Sequence, residues 1–245
     1  MIKPVLISGL DLGMVSDHSA LVTLERTPAP EPTPRRRWKY LLRWLETWEL
    51  GTKYTATREG EKSICGDVKA RFDSDLLRYT PLAVDFTGVG TAVVDQLRAA
   101  KVPAMLNPVL ITSGHQVMRR EETKERAWHV PKKELVGTLT ALLQSQLVAW
   151  PRVEAKRKLT PFQHAVAKLE RELADFRVKV TKSANETFGA DRSQHDDLVL
   201  ALMLACWLGE NTGCGDVSGV TVPDGGERDA VSGSPDGVFL TGRGV

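Results

Sequence analysis

The stretch PLAVDFTGVG, Pro81 to Gly90, decides how this chain is assembled. It reads as a strand over Pro81 to Phe86 that ends at an acid, Asp85, followed by glycines that let the backbone turn closely into a helix from about Val89 to Ala100. A further strand follows near Ala104 to Ile111. Strand, helix and strand in succession imply parallel neighbours in one sheet. Upstream lie three strands with short connections, VLISGLDLG (Val5–Gly13), SALVTLER (Ser19–Arg26) and WKYLLRWLETWEL (Trp38–Leu50), which suggest an antiparallel meander. Between the last two, TPAPEPTPRRR (Thr27–Arg37) is rich in proline, so it is expected to be an exposed hairpin insertion that does not pair.

Downstream, helices are expected at about Glu61 to Arg78, from Pro131 through PKKELVGTLTALLQSQLV, and over Pro161 to Ala174. MRREETKERAWHV (Met118–Val130) reads as a charged connector, and FRVKVTK (Phe176–Lys182) as one more strand. SQHDDLVLALMLACW (Ser193–Trp207) is a helix apolar on nearly every side, hence buried. The expected fold class is α/β, a mixed five-stranded sheet with helices on both faces. It occupies residues 1–210, and residues 211–245, rich in glycine, serine and aspartate, form an expected disordered tail.

The net charge of +2 over 245 residues hides an asymmetry: beyond residue 210 the balance is −3, which leaves +5 on the remainder. A basic body is compatible with a polyanionic partner. Cys65, Cys206 and Cys214 form no C-x-x-C pair, so neither a disulfide framework nor a zinc site is expected. No apolar run reaches the roughly 18 residues that span a membrane. Without a secretory signal, a soluble cytoplasmic chain with no membrane partner is the expectation.

Three acidic positions stand out. Asp11 ends the first strand and Asp85 the fourth; parallel neighbours would project both into the crevice beyond the strand ends. Asp196 and Asp197 open the buried helix and could close that crevice from a third side. Each has a local explanation as well: Asp11 in a turn before Gly13, Asp85 in an Asx turn before Thr87, and the aspartate pair in the first turn of a helix capped by Ser193. Their order favours a shared site. Carboxylates crowded together repel unless divalent cations hold them, and hard oxygen ligands select Mg²⁺ or Mn²⁺. Two such ions could activate a water and stabilise the leaving oxygen of a phosphodiester.

GLDLGMVSDHSALVTLE, LAVDFTGVGTAVVDQL and SQHDDLVLALMLACW together resemble the three acidic motifs of the nuclease domain of bacteriophage terminase large subunits. That domain belongs to the ribonuclease H-like superfamily, and the resemblance runs from about Val5 to Leu208. It implies cleavage of double-stranded DNA during genome packaging in a bacterial host, with one metal-binding acid per motif. By the same resemblance Asp11 would bridge two ions, with Asp85 and Asp197 each completing one. Helical periodicity does not choose between the two adjacent aspartates. The family pattern assigns Asp197, with Asp196 as the alternate or as a residue acting from behind the ligands, where His195 could also stand. The implied partners are an ATPase domain or subunit, a small terminase subunit and a portal. The chain contains no G-x-x-x-x-G-K-[ST] loop, so an excised domain, a split gene product or a remnant is expected, and motor activity is not.

Two other classes compete. GLDLG also resembles the first phosphate motif of actin-like and sugar-kinase ATPases, but those repeat their fold twice and do not call for HDD. An inactive DNA-binding assembly module would use only the basic clusters: Arg35, Arg36 and Arg37, Arg119 and Arg120, Lys132 and Lys133, or residues 156–158. The same clusters are the candidate DNA contacts of a nuclease.

Overall fold

The computed structural model describes residues 5–13, 17–33, 36–58, 60–88, 90–120, 127–152, 159–180, 186–189 and 196–212. In chain order the elements are β1 (Val5–Asp11), β2 (Ala20–Thr33), β3 (Arg36–Thr47), α1 (Ile64–Phe72), β4 (Pro81–Asp85), α2 (Gly90–Ala99) and β5 (Met105–Thr112). There follow β6 (Met118–Arg120), β7 (Ala127–Pro131), α3 (Lys132–Gln144), β8 (Val148–Ala149), α4 (Pro161–Asp175), β9 (Arg177–Val180), β10 (Glu186–Gly189) and α5 (Asp197–Asn211).

The expected meander and parallel additions are present. Among the described residues one mixed sheet runs β6-β7-β5-β4-β1-β2-β3-β8. Strand β1 pairs antiparallel with β2 and parallel with β4, and β4 pairs parallel with β5. The sheet is nevertheless wider than five strands. The stretch read as a charged connector contributes β6 and β7, because Ala127 and Val130 are buried and β7 lies parallel to β5. β9 pairs with β10 in a separate two-stranded ladder.

The proline-rich stretch is also corrected. β2 continues through it, with Thr27 opposite Lys39 and Pro28 opposite Trp38. The reason lies in which way the backbone faces. Tyr40 directs its N–H to Leu147 O, at 2.7 Å, and therefore away from β2. Its partner Arg26 and, two residues on, Pro28 then face away from β3. A missing N–H there forfeits no bond to β3.

Two cores flank the sheet. On one face Leu10, Leu82 and Val84 pack with Val68 and Phe72 of α1 and Val93, Val94 and Leu97 of α2. On the other, Ile7, Val22 and Ala83 meet α3, α4 and α5. Helix α5 is buried from Asp197 to Gly209 apart from Leu200, as its uniform apolarity predicts. It lies directly on β1: a Cβ built on Gly9 would stand 2.1 Å from Ala201 O and 2.7 Å from Ala205 N. Only a residue without a side chain permits that approach. Gly9→Ala should therefore destabilise by about 3 kcal/mol or more, since the obstacle is helix backbone rather than a movable side chain. In thermal denaturation this corresponds to a Tm lower by roughly 6–12 °C for a domain of this size.

Both ends of α5 are held by buried charges of the sign its dipole favours. At its C-terminus Arg26 donates to Gly209 O at 2.6 Å and Thr212 O at 2.8 Å. At its N-terminus Glu172 of α4 accepts from the N–H of Leu198 at 2.9 Å and of Val199 at 3.3 Å. The expected Ser193 cap is corrected: Asp196 occupies the N-cap position and makes no side-chain cap bond. Ser193 itself, His195 and the tail beyond Thr212 lie outside the described residues. No helix among the described residues is long and apolar enough to cross a membrane.

Candidate active site

Strand alternation and register bring the first two acids together. Side chains at alternate positions share a face. Ile7, Gly9 and Asp11 of β1 face α5, and so do Ala83 and Asp85 of β4. Gly9 is aligned with Ala83 and Leu10 with Val84, so the next residue on each strand places Asp11 beside Asp85. Adjacent strands lie about 4.8 Å apart, within reach of two carboxyl groups.

Asp197 arrives from α5. Ala201 and Ala205 lie against Gly9, and Asp197 is one turn before Ala201. One helical turn of four residues rises about 6 Å, nearly the length of the two strand residues from Gly9 to Asp11. The helix therefore delivers Asp197 to the level of Asp11. All three acids are buried, with exposures of 6% for Asp11, 8% for Asp85 and 4% for Asp197.

Their electrostatics record the crowding. Burial, then the charges of Asp85, Asp197 and Asp196, push the Asp11 carboxyl well above its ordinary range, and the ammonium of Lys132 opposes them. Burial also raises Asp85, against hydrogen bonds from Thr87 and from Asp11 and the charge of Lys132. Thr87 N–H donates to Asp85 Oδ1 at 2.8 Å, so the Asx turn expected from sequence coexists with the acid cluster. The Tyr54 hydroxyl donates to Gly13 O, and its pKa is raised by burial and by Asp11.

The adjacent aspartates differ. Asp196 keeps 26% of its side chain exposed and lies 3.8 Å from Lys132 Nζ. Asp197 faces inward. Glu172, buried beside Asp197, is raised to about 7, first by burial.

Of the candidate DNA contacts, Lys132 faces the acids rather than solvent. Lys133 is exposed, with Nζ 2.7 Å from His115 Nδ1. Arg119 is exposed, with its guanidinium 5.0 Å from the centre of the Trp128 ring. For Arg36, Arg37 and Arg120 only the backbone is described, while Arg35 and residues 156–158 fall outside the described residues. Sequence reading missed the place of Lys132 because β7 was not foreseen. β7 ends at the same sheet edge as β4, so α3 begins beside the acids. It missed Glu172 as well, although a signal existed: Val166, Leu169 and Glu172 share the buried stripe of α4, and an acid in such a stripe needs a partner.

The donor set suits a hard divalent cation: carboxylate oxygens, buried and in excess over one nearby ammonium. Among the described residues no group of three His, Cys, Asp or Glu side chains is placed to hold a metal ion. The three acids are buried, and Asp85 and Asp197 lie close enough to Asp11 for their charges to raise its carboxyl. Mg²⁺ normally takes one or two carboxylates and keeps several waters, so an open set fits it better than a cage.

This state has a measurable consequence. Carboxyls whose folded pKa lies above the unfolded value stabilise the fold at low pH and lose that contribution as pH rises through the folded pKa. Asp11, Asp85 and Glu172 all have this sign, and for Glu172 the loss runs from the ordinary value of 4.5 up to about 7. Glu61, lowered to about 2 by Lys53 and Thr57, titrates far below this window. In chelator, Tm should therefore fall between pH 5 and pH 8; a rise would contradict the burial of these acids.

No family profile and no curated protein sequence matches the chain. Solved structures do. The large terminase nuclease from thermophilic phage G20c with bound magnesium superposes with a TM-score of 0.54 at 20% identity, covering 83% of this chain and 81% of that one. The cobalt-bound form gives 0.53 at 21% identity, with the same coverage. The form reported without a named metal gives 0.53 at 20%. At such identities the likeness is one of fold. In its fold this chain is similar to the large terminase nuclease of thermophilic phage G20c, as the order of its three acidic motifs implied.

Proposed function

We propose that this chain is a metal-dependent endonuclease that cleaves double-stranded DNA, acting as the nuclease part of a phage DNA-packaging terminase. The observation that carries the reading is the convergence of three buried carboxylates, from two strand ends and a helix start, at the open edge of the sheet. The magnesium- and cobalt-bound forms of the G20c nuclease, which share the fold, support it.

Asp11, central to the cluster, would contact both of two Mg²⁺ or Mn²⁺ ions, with Asp85 and Asp197 holding one each. When bound, such ions polarise a phosphate oxygen and lower the pKa of water. The protein residues have separate tasks. Burial of the three acids excludes bulk water and strengthens every interaction at the edge. Lys132 offsets part of the acid charge, and its ammonium is suited to contacting a backbone phosphate. Arg119 and Lys133, both exposed, are suited to holding the flanking phosphates. Contacts of this kind go to the phosphate backbone, so little sequence preference is expected. An ATPase domain or subunit, a small terminase subunit and a portal would be the partners of this activity in packaging.

The test is incubation of the purified protein with supercoiled plasmid and Mn²⁺. Conversion to nicked and linear forms that stops in excess chelator is the expected outcome. Tight ATP binding with no cleavage under any divalent metal would overturn the reading in favour of a nucleotide-binding role.

A further inference from the structure

Glu172 stands outside the acid trio, yet it governs how one of the three is held. Asp197 is the first residue of α5, so Leu198 and Val199 are the second and third. Their N–H groups are those that a helix-capping side chain ordinarily takes. The residue in the capping position, Asp196, does not take them. Glu172 Oε2 does so from another helix, at 2.9 and 3.3 Å.

As a device for stability alone this is a poor choice. It sinks a carboxylate to 7% exposure. It leaves Oε1 without a hydrogen-bond partner, 3.8 Å from Lys168 Nζ. It also adds a further negative charge beside Asp197. A serine or threonine at the capping position would satisfy the same amides at less cost. Two things follow from capping at a distance. The Asp196 carboxylate stays free of its own helix and turns to Lys132. The first turn of α5, and with it the direction of Asp197, is tied to α4 rather than left to fray.

We propose that Glu172 is a positioning residue for Asp197: by capping Leu198 and Val199 from α4 it fixes the carboxylate of Asp197 in the orientation a divalent cation requires. The inference rests on Asp197 being a metal ligand. Residues that orient ligands typically change metal affinity about 10–100-fold when removed.

Two measurements on the full chain test it. The first is amide hydrogen exchange in metal-free protein. Glu172→Ala should speed exchange at Leu198 and Val199 about tenfold relative to amides in the middle of α5, the effect of losing a cap. Glu172→Gln, which keeps an acceptor oxygen, should preserve most of the protection. The second is Mn²⁺ titration by calorimetry, where Glu172→Ala should weaken binding about tenfold or more and Glu172→Gln by much less. Glu172→Asp, one methylene shorter, should move both readouts in the direction of Glu172→Ala, and serves if the alanine variant does not fold. Faster exchange with unchanged Mn²⁺ affinity would overturn the proposal and leave a purely structural cap. Failure of the unmodified protein to bind Mn²⁺ would overturn the metal site itself, and the positioning role with it, while the exchange result at Leu198 and Val199 would still stand.

Discussion

Asp11→Asn and Asp85→Asn should each lower Mn²⁺-dependent plasmid cleavage by more than about 100-fold, beyond the 10–100-fold cost of altering residues that merely orient ligands. The same substitutions should leave the fold intact and raise Tm in chelator at pH 8. The physical reason is the crowding of buried acids. Asp11 is buried and faces the charges of Asp85, Asp197 and Asp196, with Lys132 as the opposing charge. Replacing one carboxylate by an amide of the same shape removes the repulsion and the desolvation cost together. A gain of about 1 kcal/mol would appear as roughly 2–4 °C. Activity and stability moving in opposite directions is what separates a site kept for function from a structural acid. Loss of both would mean that Asp11 supports the fold, and unchanged cleavage would remove it from the site.

The second large effect lies between neighbours. Asp197→Asn should abolish cleavage to a similar extent, whereas Asp196→Asn should retain activity within about fivefold. Asp197 is 4% exposed on the sheet-facing side of α5. Asp196 is partly exposed and pairs with Lys132 at 3.8 Å, an interaction typically worth about 1 kcal/mol or less. Parallel Mn²⁺ titrations distinguish the two residues without relying on turnover: the Asp197 variant should bind weakly and the Asp196 variant nearly as well as the unmodified protein. The reverse pattern would assign the ligand to Asp196 and leave Asp11 and Asp85 in place.

Local pattern made a good part of this architecture legible. The apolar run of VLISGLD, the closing acid and glycines of PLAVDFTGVG and the apolar run after Asp197 each report a property of one segment, burial or turning, that neighbouring residues dictate. Their order along the chain implied the meander, the parallel additions and the three acids at one edge. Whatever depended on backbone direction was not legible. Pro28 sits in a paired strand because its nitrogen faces away from β3, and composition carries no record of that.

The sequence by itself determined strands β1 to β5, the five helices and the acids at their ends, because periodicity and turn chemistry act over a few residues. Tertiary structure alone decided that burial and neighbouring charge raise the Asp11 carboxyl and that Lys132 opposes them from α3. It alone assigned the cap of α5 to Glu172, 26 residues before Leu198. These are through-space relations between side chains on different elements. They depend on the 10 Å scale of helix-on-sheet packing and on the bare backbone of Gly9, which lets α5 lie against β1. A run of residues read in order carries the ingredients of such contacts; only the closed fold sets their distances.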